Sequence, residues 1–94
     1  MEKNINSKIN IKKMAYDKFA DVLYVTFSNP QDIDITPLTD ADLIRTDHIT
    51  KQISGITIIG FQERYKVKFP EKSNKSTYSI IDKLISEYHT ISAH

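Results

Sequence analysis

Two aspartates and two tyrosines stand close together in Tyr16-Asp17-Lys18-Phe19-Ala20-Asp21-Val22-Leu23-Tyr24. Carboxylates beside phenols are the materials of general acid–base chemistry and of polar ligand pockets, because each can give, take or share a proton with a bound group. Tyr16, Asp17, Asp21 and Tyr24 are therefore the candidate ligand-binding residues. The same spacing has a plainer chemistry. Aspartates at both ends of a five-residue connection accept backbone N–H bonds and cap a tight turn. Turn geometry alone accounts for both acids.

Other chemistries find little to use. Asp32-x-Asp34 and Asp40-x-Asp42 suggest calcium, but an EF-hand loop needs a glycine at its sixth position and a bidentate acid at its twelfth. Counted from Asp32, those positions hold Pro37 and Leu43. His48, His89 and His94 are far apart and lack partner ligands at metal-site spacing, so no metal is expected. There is no cysteine, hence no thiolate site or disulfide, and two glycines cannot make a phosphate-cradling loop. No Gly-x-Ser-x-Gly elbow is present. The residues name no catalytic group and no cofactor, and the chain reads as a non-enzyme more than an enzyme.

Arg64, Lys66, Lys68, Lys72 and Lys75 form a basic strip near Tyr65 and Phe69. Stacking platforms for nucleic acid need aromatic and basic groups on one face. Strand alternation would put these aromatics opposite the lysines, which reads as a solvated edge rather than as direct nucleic-acid binding. Tyr78, Ile81, Leu84, Ile85, Tyr88 and Ile91 recur at three- and four-residue steps, the stripe of an amphipathic helix over residues 76–91. Such a stripe is either core or a recognition element. Tyr78, Ile81, Leu84, Ile85 and Tyr88 are thus candidate partner-binding residues, and the polar linker Glu71–Lys75 would let the helix swing out or swap between copies.

The elements that must position these groups are short. After a polar tail (1–8), Ile9 and Ile11 alternate in one phase and Met14 and Tyr16 in the other, which predicts a strand with a bulge or a twist near Lys13. Val22–Phe27 is rich in β-branched and aromatic residues with two apolar faces, the mark of a central strand. Residues 33–42 read as a meandering connection that pairs briefly through Ile33 and Ile35. Leu43–Asp47 and Ile53–Phe61 are further strands, joined by a turn at Thr50-Lys51-Gln52. Alternation of Phe61, Tyr65, Val67 and Phe69 extends the last strand to Pro70, giving a β-region over 9–69. Ser73, Asn74 and Ser76 are candidate helix caps. The expected fold is α+β: a four- or five-stranded antiparallel meander with one C-terminal helix.

Ninety-four residues, 39% hydrophobic and 27% charged, fit one folded domain over residues 1–94. The net charge is +1, so there is no global pull toward nucleic acid or anionic lipid. Residues 17–47 nevertheless hold seven aspartates against Lys18 and Arg45, an acidic middle between basic flanks that reads first as solvated loop surface and alternatively as a field that steers a charged partner. The apolar runs Val22–Phe27 and Ile56–Phe61 fall far short of the roughly 18 residues that span a bilayer. Met1–Ser7 has no apolar stretch of the signal-peptide kind, so no membrane association and a cytoplasmic location are expected.

The stretch Tyr16–Phe27 resembles the opening motif of the YuzE-like small bacterial proteins: Tyr-Asp, two variable residues, Ala-Asp, one variable residue, Leu-Tyr, then a strand. Leu43–Asp47 followed by Gly55–Arg64 is similar to that family's second half. There a strand, a polar turn and a glycine-bearing strand end near a Glu-Arg or Lys-Arg pair, here Glu63-Arg64. The resemblance covers about residues 9–65. Many members carry Asp-Gly or Asn-Gly in the turn and an acid two residues after the strand's glycine, where this chain has Thr50-Lys51-Gln52 and Thr57. The resemblance implies a small β-meander and no established activity. Some members look like the smaller partner of two-gene toxin–antitoxin-type pairs, which implies an antitoxin-like interaction module with a protein partner or self-association. A small ligand-binding or enzymatic domain built on Tyr16–Tyr24 is one alternative, and nucleic-acid binding through residues 64–75 is a second.

Overall fold

The computed structural model describes residues 10–67 and 75–92. Five runs of alternating apolar residues form strands: β1 (Lys13–Asp17), β2 (Val22–Thr26), β3 (Ile33–Pro37), β4 (Asp42–Asp47) and β5 (Ile53–Ile59). Two helices follow, α1 (Phe61–Tyr65) and α2 (Lys75–Ser92). The sheet is open and antiparallel throughout, in the order β1-β2-β5-β4-β3. The α+β expectation holds. The meander runs through β3, β4 and β5, while the β1–β2 hairpin joins β5 instead of β3. The apolar run Ile56-Thr57-Ile58-Ile59 explains the arrangement, since the middle of the sheet is where such a strand loses most water.

Strand β1 pairs residue by residue with β2, from Lys13–Thr26 to Asp17–Val22, so the bulge expected near Lys13 is absent. The ladder starts at Lys13, and Ile11 packs at the core's margin from outside it. The register shift lies between Arg45 and Thr46 of β4 instead. Residues 33–37, expected to pair only briefly, form a full edge strand on β4.

One face of the sheet carries Leu23, Val25, Ile44, Ile56 and Ile58, all fully buried against Ile81 and Leu84 of α2 and Phe61 of α1. Each such side chain stabilises the fold by about 1.5–3 kcal/mol before entropy is counted. The helix expected over 76–91 thus packs on its own sheet. Ser76 lies within its first turn instead of capping it, and Ser73 and Asn74 lie outside the described residues.

The extension of the last strand to residue 69 is overturned. Strand β5 stops at Ile59, Gly60 takes a left-handed φ of 70°, and the chain turns into α1. Lys66, at φ 58°, closes α1 by donating its N–H to Gln62 O. Aromatics four apart share a face of a strand, but they also share a face of a helical turn whose first residue is core and whose fifth is at the margin, as Phe61 and Tyr65 do. The basic strip therefore has no strand geometry within the described residues. Lys68, Phe69 and Lys72 lie outside them.

Candidate functional site

The sheet has two ends. At one, the β1–β2 turn, the β3–β4 turn and α1 meet. Asp17 caps the first turn, its carboxylate accepting the N–H groups of Phe19 (3.0 Å) and Ala20 (3.1 Å). Asp21 does more. Its backbone is left-handed (φ 57°), a conformation Asp tolerates better than most residues. Its carbonyl accepts the N–H of Gly60 (2.7 Å) and of Phe61 (3.1 Å). Its carboxylate accepts the N–H of Gln62 (2.8 Å) and of Glu63 (3.1 Å). A helix begins with about four N–H groups that have no partner inside it, and this one residue, 40 positions upstream, satisfies four in a row. Tyr16 donates its hydroxyl to the same carboxylate at 2.7 Å.

Electrostatics follow from that geometry. The Tyr16 hydroxyl bond and the amides of Gln62 and Glu63 hold the Asp21 carboxyl below its usual range, against the opposing effect of its burial. The hydrogen bond to Asp21, aided by burial and the nearby carboxylate charges, pushes the Tyr16 phenol up to about 12. A catalytic acid or base works best with its pKa near the ambient pH, and both groups are moved the other way. The pair keeps its proton on Tyr16 and its charge on Asp21, which is the chemistry of a structural clasp.

A second clasp closes the corner. Arg64 of α1 grips Asp42 at the start of β4 with two parallel bonds, Nη1 to Oδ1 at 2.9 Å and Nη2 to Oδ2 at 2.8 Å. Asp42 is only 1% exposed, and Thr39 donates its hydroxyl to it at 2.7 Å. Arg64 also donates to Ile59 O (2.9 Å) and lies over the Tyr65 ring. Bidentate geometry of this kind needs the planar guanidinium fork. The side chains of Tyr16, Phe61 and Tyr65 pack ring against ring beneath.

The four candidate ligand residues are thus divided. Tyr16 and Asp21 meet, and Asp17 caps its own turn. Tyr24 pairs across the ladder with Ala15 and Thr57 and points to the other face of the sheet. The helix candidates divide as well. Ile81 (0% exposed) and Leu84 (3%) are core, Ile85 and Tyr88 flank it, and Tyr78 is exposed. The recognition stripe is mostly engaged with its own sheet.

Sequence reasoning missed the bare face opposite α2. It carries Tyr24, Leu43, Ile33, Ile35 and Ile59, each paired across the ladder with another residue (Tyr24 and Leu43 both with Thr57, Ile35 with Arg45, Ile33 with Asp47), with Ile35 61% and Tyr24 42% exposed. Arg45 lies flat across it, donating to Val25 O at 2.8 Å, and the missing Cβ of Gly55 leaves it room. The signal was available: β3, read as a connection, supplies the two isoleucines, and in a paired hairpin the even residues of β2 must face away from Leu23 and Val25. Among the described residues no cluster of three or more His, Asp or Glu is placed to hold a metal, and no helix is long and apolar enough to cross a membrane. No protein-family model matches the chain, and no curated protein or solved structure does either.

Proposed function

We propose that this chain is a small protein–protein interaction module that binds through the bare face of its sheet. The carrying observation is the group of apolar side chains Tyr24, Leu43, Ile33, Ile35 and Ile59 set around Arg45 and Thr57 on that face, which no described residue covers because α2 serves the opposite one. Five strands about 4.8 Å apart and about five residues long make a whole face of roughly 400 Å², of which these side chains are a part. Clustered exposed apolar side chains rimmed by polar ones are the general mark of an interaction site. The face is below the roughly 800 Å² per partner of a standard interface, so a partner must also use an edge, and the exposed strand β3 adjoins the patch. The resemblance to YuzE-like proteins supports an antitoxin-like role, in which this face occludes a second small protein.

The test is the native mass of the tagged protein purified from its own host. Wild-type chain should carry a stoichiometric small protein. Tyr24→Glu should lose it while melting within a few degrees of wild type, since a half-exposed strand position tolerates polarity at about 1 kcal/mol or less. A partner retained by Tyr24→Glu but lost by Tyr78→Asp would assign binding to α2. A mass of this chain alone would end the proposal.

A further inference from the structure

The end of the sheet opposite the clasped corner holds a cleft of about 420 Å³ between the start of β5, the segment after β2 and the C-terminal half of α2. We propose that this cleft binds a small amphiphilic anion, a carboxylate on an apolar body of about eight carbons. Its floor is Phe27, Ile53 and Ile85, three half-buried side chains at the margin of the core. Its rim is polar, with Ser28, Lys51 and His89, and no carboxylate is among the described residues that line it. An apolar floor with a few convergent polar groups, at a volume within the usual 300–1,000 Å³ of ligand pockets, is the general form of a small-molecule site. The sign of the charge follows from the lining, where Lys51 is the permanent ion.

Lys51 is also the wrong residue for its backbone. The turn after β4 is built by Asp47, whose carboxylate accepts the N–H of Ile49 (2.8 Å) and of Thr50 (3.2 Å). Lys51 then donates its N–H to Asp47 O (2.8 Å) at a φ of 67°. Glycine or asparagine takes this left-handed conformation with least strain. Lys51 lines the cleft from this strained position, and strained positions concentrate where function needs them. Its present partner is distant: Asp34 Oδ2 lies 3.9 Å away and itself bonds His48 at 2.9 Å. That contact is exposed and outside the cleft, so exchanging it for a bound carboxylate costs little. His89 offers an imidazole edge from across the cleft, its ring set against Tyr88.

The site is independent of the bare face, and one experiment separates them. Full-length protein labelled with 15N is titrated with sodium octanoate below its micelle concentration. Saturable shifts should centre on Lys51, Ile53, Ile85 and His89, and 1-octanol should bind more weakly. Lys51→Gly should weaken octanoate about tenfold, the scale of a lost hydrogen bond to a charged group, while melting at or above the wild-type temperature because the strain is relieved. Shifts centred on Tyr24 and Ile35, shifts spread over the surface without saturation, or an unchanged affinity in Lys51→Gly would each overturn the assignment.

Discussion

Asp21 is the residue on which the corner depends, and its charge is what the corner uses. Its folded carboxyl sits below its ordinary value of 3.8, so its contribution to stability is fully present above that value. The contribution is lost as pH falls through the lower folded value. Asp21→Asn should therefore flatten the acid limb of a stability–pH profile below about pH 4, read from urea midpoints. Asp21→Ala removes a helix cap and strands two amides, a loss of about 2–3 kcal/mol, or about 10–20 °C in a domain of this size. Tyr16 gives the complementary signal at the other end of the scale. Its phenol is raised from 10.0 to about 12, so its stabilising effect is complete below pH 10 and lost as pH climbs from there through about 12. An ultraviolet titration of wild type should show a tyrosine ionising near pH 12 that returns toward 10.0 in Asp21→Asn. A tyrosine titration identical in the two proteins would mean that the Tyr16–Asp21 bond is not present in solution.

Between elements, the decisive joint is the one from β5 to α1. Gly60 supplies the left-handed residue that ends the strand, and Arg64 ties the new helix to β4 through a buried carboxylate. Arg64→Leu leaves Asp42 uncompensated in the core and should cost about 3–5 kcal/mol. The pair Asp42→Leu with Arg64→Leu should recover much of that loss, because removing both ions also removes the penalty of burying them. Additive losses in the double mutant would show the ion pair to be unimportant. This joint also marks where the sequence stopped being legible. Strands β2, β4 and β5 and helix α2 follow from patterns within single segments, since alternation and three–four spacing are local properties. The corner is made by residues 41 positions apart (Asp21 with Gln62) and 22 apart (Asp42 with Arg64), which no local pattern encodes. Tyr24 was legible and misplaced: a hairpin closed at Asp17 and Asp21 sets Tyr16 opposite Leu23, which forces Tyr24 onto the other face. The short helix α1 was illegible for a different reason, since five residues with aromatics at 61 and 65 satisfy both periods.

Across the whole molecule, the acidic middle turns out to be architecture. Of the seven aspartates between residues 17 and 47, Asp17 and Asp47 cap turns, Asp21 caps a helix, Asp42 holds an arginine and Asp34 bonds His48. A run of like charge, read as solvated loop surface or as a steering field, is largely the chemistry needed to close a small sheet at both ends. The same view changes what α2 is for. Its buried residues Ile81 and Leu84 cover Leu23, Val25, Ile44, Ile56 and Ile58, so the helix supplies one of the two layers that a single core requires. Cutting the chain after Pro70 should therefore abolish folding, and with it any complex, without saying where a partner binds. The total stability of such a domain is about 5–15 kcal/mol, and truncating Leu84 alone to alanine should remove about 2–5 kcal/mol of it. Residues 1–70 should bind a hydrophobic dye and show no dispersed amide spectrum. Tyr78→Asp, on the exposed side of the same helix, should melt with wild type. A well-dispersed spectrum from residues 1–70 would instead mean that the sheet folds alone, that α2 is an addition to it, and that the face now covered by α2 is a second surface open to a partner.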